Sequence, residues 1–230
     1  MAAADPHILR RVKPKALPRG QHALPRHVVA GAQQRRLHDA AVRAVAEQGY
    51  AETTVADIIS HAGVSRSTFY EHFTDKEHCV LSAYEEGAEE QFAAVMQAGA
   101  DAPDDPIERF RASVGSYLAQ LANHPDYARV FTIEILAAGR SAHDRRRVAQ
   151  QRYVDVMRAW HAEMRRARPE LGALPDEVFS TAVTAGNELV AQCIRERGAD
   201  RLGEIEGLCV YTYLALMGLH EEAQGALESA

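Results

Sequence analysis

Hydrophobic positions recur at helical spacing along almost the whole chain, and no stretch keeps the strict alternation of a half-buried strand. Leu37, Ala41, Ala44 and Val45 fall at i, i+4, i+7 and i+8, one face of a helix that Gly49 is placed to end. Val55, Ile58, Ile59 and Ala62 repeat at i, i+3, i+4 and i+7, which predicts a second, short helix capped by Thr53 or Thr54 and broken at Gly63. Ser65 can cap a third helix running through Phe73, and Asp75 a fourth that begins at Lys76 and reaches about Ala98. Beyond a loop over 99–106 the pattern predicts helices over 107–123, from Pro125, over 142–167, over 176–197 and over 203–223, with a turn at 198–202. Pro6, Pro14, Pro18 and Pro25 cut the start of the chain into pieces too short for stable helix, so residues 1–24 read as a flexible arm. The expected fold is all-α. An N-terminal three-helix bundle with a helix-turn-helix occupies 25–75, and a larger C-terminal helical domain occupies 76–230.

Two short helices joined by a tight, glycine-containing turn are the helix-turn-helix layout. Val64, Phe69 and Phe73 supply the apolar back of the third helix. Arg66, Ser67, Thr68, Tyr70, Glu71 and His72 are left for its outward side, a set rich in hydrogen-bonding groups that suits groove reading. Each has a plainer role open to it: an exposed arginine is often merely solvated, Thr68 can simply hold its helix's first turn, and a tyrosine can pack on the surface. Lys76 at a helix start opposes the macrodipole, and a phosphate between it and that N-terminus reverses the penalty. Thr53 and Thr54 offer hydroxyls and helix-start amides to the same kind of anion.

Charge sharpens this picture. The 230 residues carry 26 Lys and Arg against 32 Asp and Glu, a formal net charge of −6, which argues against a uniformly basic coat for nucleic acid. Residues 1–36 nevertheless hold eight basic side chains and one acidic, whereas residues 81–230 hold 15 basic and 24 acidic. One end of the chain suits a polyanion while the bulk repels it. The basic arm is also readable as no more than a solvated tail.

The run from Gly49 through Thr53-Thr54-Val55-Ala56-Asp57-Ile58-Ile59, then Ala62-Gly63-Val64-Ser65-Arg66-Ser67-Thr68-Phe69-Tyr70-Glu71-His72-Phe73 and Asp75-Lys76-Glu77, resembles the DNA-binding domain of the tetracycline-repressor (TetR) family. The likeness covers about 35–81 without a gap. It implies that Thr54, Tyr70, His72 and Lys76 contact phosphates and that Arg66, Ser67 and Thr68 face bases of double-stranded operator DNA. Ala56 is too small to reach a base edge, so base reading from the second helix is not expected. Ser67 stands where the family often has glycine.

The remaining two thirds resembles the family only loosely. Tyr153, Met157, Trp160 and Met164 share one helix face, as do Phe110, Val114, Tyr117 or Leu118, and Leu121. They are readable as ordinary core or as walls of an apolar cavity; the effector pocket expected from them comprises Tyr117, Tyr127, Glu134, Tyr153, Met157, Trp160, His161 and Asn187. Asn187-Glu188 interrupts an apolar face, which calls for a partner in protein, water or ligand. Apolar residues cover more than one stripe of the last two helices (Leu189, Val190, Leu208, Tyr211, Leu216 and Met217 among them), which points to a homodimer through those helices. The family resemblance implies the same dimer and a near-palindromic operator.

Several classes are excluded or disfavoured. No apolar run approaches the roughly 20 residues of a membrane span, and the basic start has no apolar stretch behind it, so a secretory signal is not expected. Cys79, Cys193 and Cys209 are too few and too scattered for a disulfide framework, which suits a reduced, cytoplasmic setting. No cluster has metal-ligand spacing, and no glycine-rich phosphate loop or nucleophile elbow appears, so neither metal, cofactor nor catalytic residue is expected. Arg145-Arg146-Arg147 reads as a solvated face. The resemblance implies a transcriptional regulator, expected to be a repressor released by an unidentified small-molecule effector. The alternative is a helical small-molecule binder or enzyme whose DNA-binding bundle has lost its use.

Overall fold

The computed structural model describes residues 26–228; the arm expected over 1–24 lies outside them. The described residues form ten α-helices and two 3₁₀ segments, and no strand occurs among them. The head is built from α1 (Arg26–Gln48), α2 (Val55–Ala62) and α3 (Arg66–His72). The body follows as α4 (Lys76–Asp101), α5 (Pro106–Asn123), α6 (Pro125–Thr132), a 3₁₀ segment (Glu134–Ala138), α7 (Arg140–Ala167) and α8 (Asp176–Arg197). A second 3₁₀ segment (Ala199–Ile205) leads into α9 (Glu206–Leu216) and α10 (His220–Glu228).

Local chemistry accounts for these boundaries in the head. Thr54 is the N-cap of α2: its hydroxyl accepts from the Asp57 amide at 3.3 Å while the Asp57 carboxylate accepts from the Thr54 amide at 2.8 Å, a reciprocal capping box. Thr53, the other candidate cap, is buried and donates its hydroxyl to the Gly49 carbonyl at 2.7 Å. Gly63 closes α2 at φ +60°, a left-handed conformation that a Cβ would strain. Ser65 and Asp75 cap α3 and α4 by accepting from the amides of Thr68 and His78. Phe73 falls one residue beyond α3 and serves as its C-cap.

At the other end the single helix expected over 203–223 is two. Its first turns tighten into the 3₁₀ segment, and Gly218 at φ +81° separates α9 from α10. The amides of Gly218 and Leu219 turn back onto the Ala215 and Leu214 carbonyls, so the exposed ends of α9 are satisfied locally. A glycine within an apolar run looks like a tolerated helical residue; its backbone angle is what makes it a stop.

Two apolar cores result, and the expected boundary between Asp75 and Lys76 does not separate them. The head's core, around Leu37, Ile58 and Phe69, continues through Cys79, Leu81 and Tyr84 of α4 to Val130 of α6 and Ile135. The body's core gathers α5, α7, α8, α9 and α10 around residues such as Leu118, Met157, Leu202 and Leu214. The first half of α4 therefore belongs to the head by packing. Val190, Cys193, Val210, Leu214, Met217 and Leu219, part of the surplus apolar surface read from the last helices, are buried within one chain, where α9 packs against both α8 and α10. Leu208 and Leu216 remain exposed.

Candidate functional site

The polar side of α3 is open. Arg66, Ser67, Tyr70 and Glu71 are exposed, Thr68 and His72 half-buried, and Phe69 beneath them is wholly buried. The Arg66 guanidinium lies 5.7 Å from the Tyr70 ring centroid and donates to its hydroxyl at 3.5 Å, so these side chains share one face. Ser67 donates to Glu71, and the Thr68 hydroxyl is 2.9 Å from Ser65 Oγ. His72 Nε2 lies 3.4 Å from the side-chain oxygen Oε1 of Gln33 on α1. Ala56 is exposed on α2.

Two of the expected anion-contacting groups already have partners. The Thr54 hydroxyl donates to Asp57 at 2.6 Å, and this pairing holds the Asp57 carboxyl below its usual range. Lys76 Nζ donates to the Tyr50 carbonyl at 2.7 Å and lies 4.4 Å from the Tyr50 ring centroid. Lys76 thus ties the start of α4 to the α1–α2 turn. His61 bridges the Asp57 carbonyl and Glu47, which raises its imidazole above the ordinary range.

Polar groups that sequence reasoning missed tie the head's helices to one another and to the body. Arg36 Nη2 donates to the Ala62 carbonyl at 2.5 Å, satisfying the end of α2 from α1. His38 is 2 % exposed and lies between Glu86 at 2.5 Å and Ser82 at 3.1 Å, both on α4. Its position beside Leu37 on the apolar face of α1 was the available signal. Glu134, expected in the effector pocket, is elsewhere: its carboxylate accepts from the Tyr50 amide at 3.3 Å and from Arg129 at 3.1 Å. The Tyr50 residue is therefore held on both sides, its carbonyl by α4 and its amide by the segment after α6. The Tyr127 hydroxyl of α6 lies 3.5 Å from Asp39 of α1.

The body encloses a cavity of about 720 Å³. Its lining reaches from Tyr84 to Ala100 along α4, about 24 Å at 1.5 Å per residue, with α5, α6, α7, α8 and α9 forming the other walls. Tyr117, Tyr127, Tyr153, Met157, Trp160 and Asn187 line it. His161 does not; it is buried against Phe179, and desolvation lowers its pKa. Phe110 and Trp160 stack at 4.8 Å, and Tyr117 and Tyr153 meet edge to face at 5.9 Å. Arg146 corrects the solvated reading of its arginine run: it lines the cavity and donates to the Thr132 carbonyl at the end of α6 at 3.1 Å. Its neighbour Arg145 pairs with Glu85, so only Arg147 keeps a freely solvated side, loosely paired with Asp144. Nothing in a run of three arginines distinguishes the inward one until α7 is placed.

Polar groups inside the cavity are incompletely paired. The Tyr117 hydroxyl donates to Asn187 Oδ1 at 3.4 Å, but Asn187 Nδ2, the Tyr153 hydroxyl and Gln120 Oε1 are buried without a hydrogen-bond partner. Burial pushes Tyr117 up to about 12 and raises Tyr153 further, so both phenols stay neutral donors across the physiological range. No group of three or more His, Cys, Asp or Glu positioned to hold a metal occurs among the described residues. Among the same residues no helix is long and apolar enough to cross a membrane.

Comparison with known proteins fits this geometry. The model for bacterial regulatory proteins of the tetR family matches residues 37–83, which are α1 to the start of α4. A Bacillus subtilis HTH-type transcriptional regulator, YerO, is 30% identical over 93 residues, 40% of this chain and 32% of that protein. The chain thus spans about a third of that relative's length. The fold is that of the fatty acid degradation regulator FadR from Bacillus halodurans (TM-score 0.71, 20% identity, 81% of this chain and 95% of that one). It is likewise that of FadR from Bacillus subtilis in complex with stearoyl-CoA (TM-score 0.69, 17% identity, 79% and 97%). Residues 37–83 are thus similar to the matching part of bacterial regulatory proteins of the tetR family.

Proposed function

We propose that this protein is a ligand-responsive transcriptional repressor of the cytoplasm, acting as a homodimer on double-stranded operator DNA. Arg66, Ser67 and Thr68 read bases, and Thr54, Tyr70, His72 and Lys76 contact phosphates. One observation carries the reading: the head that presents α3 and the cavity in the body share a wall. Helix α6 contributes Tyr127 and Phe131 to the cavity lining, while Val130 sits in the head's core and Tyr127 reaches Asp39 of α1. A molecule that fills the cavity pushes on α6 and on α4, and both elements end at the Tyr50 turn that positions α2 and α3.

The effector is an elongated, largely apolar molecule of the long-chain acyl class. The cavity's length along α4, its aromatic walls and the stearoyl-CoA complex of the similarly folded FadR support this choice. An effector that prefers one dimer shape a hundredfold supplies about 2.8 kcal/mol for release. Band-shift titration of DNA flanking the protein's own gene, with and without stearoyl-CoA, tests the proposal. Wild-type protein should retain the fragment and release it with the acyl compound, and an Arg66→Ala/Tyr70→Ala double variant should not retain it. Equal retention by wild type and double variant would overturn the assignment of α3.

A further inference from the structure

Most of the cavity wall is apolar, so its unpaired hydrogen-bonding groups are the informative ones. Tyr153 on α7 and Asn187 on α8 come from helices separated by a long turn, yet both line the cavity and both are linked to Tyr117 of α5. Tyr117 stacks edge to face on Tyr153 and donates to Asn187 Oδ1, which fixes the amide so that Nδ2 is the atom left over. The Tyr153 hydroxyl is the second leftover group. A buried donor without an acceptor costs free energy that a hydrogen bond would recover, and native proteins rarely keep two together without a use. Gln120 Oε1 and Arg109 Nε of the lining are also unpaired, but the two groups that Tyr117 brings together, the Tyr153 hydroxyl and Asn187 Nδ2, are both uncharged donors. Such a pair suits an acceptor oxygen of low charge rather than an ammonium or a hydrocarbon.

We propose that Tyr153 and Asn187 are the specificity-determining residues of the cavity, donating together to the carbonyl oxygen of the bound acyl compound, with Tyr117 as the positioning residue that orients Asn187. This rests on the long-chain acyl reading of the effector and adds which atom of it is recognised. The hydrocarbon then lies against the aromatic and aliphatic walls and contributes affinity without discrimination. Because the phenol of Tyr153 titrates far above neutrality, recognition of the carbonyl is flat between pH 6 and 9, roughly the range over which tyrosine ordinarily stays protonated.

The test uses the full chain and the fluorescence of its one tryptophan, Trp160, which lines the cavity. Palmitoyl-CoA is compared with S-hexadecyl-CoA, in which a methylene replaces the carbonyl and the rest is retained. Wild type should bind the thioester about tenfold more tightly than the thioether, the size expected when a buried donor finds or loses its acceptor. Tyr153→Phe should bring that ratio to about threefold or less, and Asn187→Leu should do the same. Tyr153→Phe removes an unpaired hydroxyl from the ligand-free protein, so its thermal midpoint should equal or exceed that of wild type and misfolding will not obscure the result. A wild type that binds both compounds equally, or a Tyr153→Phe variant that keeps the full ratio, overturns the proposal while leaving the acyl reading intact. Binding of neither compound by wild type overturns the acyl reading itself.

Discussion

Head and body treat their buried polar groups differently. In the head, Arg36, Thr53, Thr54, Ser65, Asp75 and Lys76 each satisfy a specific backbone group at a helix end or turn. Every buried side-chain polar atom without a partner among the described residues lies in the body, between Arg109 and Asn187. On the proposed function, a surface that fits a duplex of fixed shape gains from being finished before it binds. A cavity that answers to a ligand gains from being unfinished, since what the ligand completes is what makes its binding selective.

The largest effect should come from the head's core. Phe69→Ala empties a fully buried aromatic position and should cost about 3–5 kcal/mol, abolishing DNA retention along with the fold of α3. Urea denaturation followed by circular dichroism measures it, and a loss below 1 kcal/mol would mean the head is not the tightly finished unit described. In the body, a Cβ at Gly186 would sit 1.7 Å from the Tyr213 hydroxyl, so Gly186→Ala must displace that ring from the cavity wall. About 1–3 kcal/mol of destabilisation is expected, and acyl-CoA affinity should change while DNA affinity without ligand changes little.

Arg66→Ala touches neither core. It should leave the melting temperature unchanged and weaken operator binding by about 1–3 kcal/mol if Arg66 reads a base edge, with selectivity relaxed at one position. Uniform weakening across sequences with a shallower salt slope would assign it to a phosphate instead. Gly63→Ala, whose Cβ meets nothing closer than 3.5 Å, should cost about 1 kcal/mol from backbone strain alone.

The smallest effect is acid sensitivity of the capping box. Hydrogen bonds from Thr54 lower the Asp57 carboxyl below its usual value of 3.8, so the folded form favours the ionised state. Its contribution is present above pH 3.8 and is lost as pH falls through the lowered value. A Thr54→Ala variant should lose that part of the acid dependence when hydrogen exchange of the α2 amides is followed between pH 3 and 6; an identical profile would deny the box any role.

Legibility from sequence divides along the same line. Helix starts in the head are written in adjacent residues, because a cap acts within three positions of itself: Thr54 and Asp57, Ser65 and Thr68, Asp75 and His78. The long apolar stripes of α5 and α7 were equally readable, but whether Tyr117, Tyr153, Met157 and Trp160 on them pack as core or line a cavity was not. What could not be read was direction and partner. Glu134 and His161 look as suitable for a pocket as Asn187 does, yet one clamps the Tyr50 turn and the other is buried against Phe179. Arg146 is indistinguishable from its two neighbours until α7 packs beside α6.

The sequence by itself determined an all-helical chain, a helix-turn-helix with a polar outer side and a body rich enough in apolar surface to enclose something. These follow from spacing and capping, which are local. Only the tertiary structure decided that the head's core runs on into α4 and α6, that Tyr50 is held from two sides, and that two donors on different helices are left facing one cavity. Such facts depend on which faces meet across long separations in sequence, and periodicity says that a face exists without saying what will lie against it.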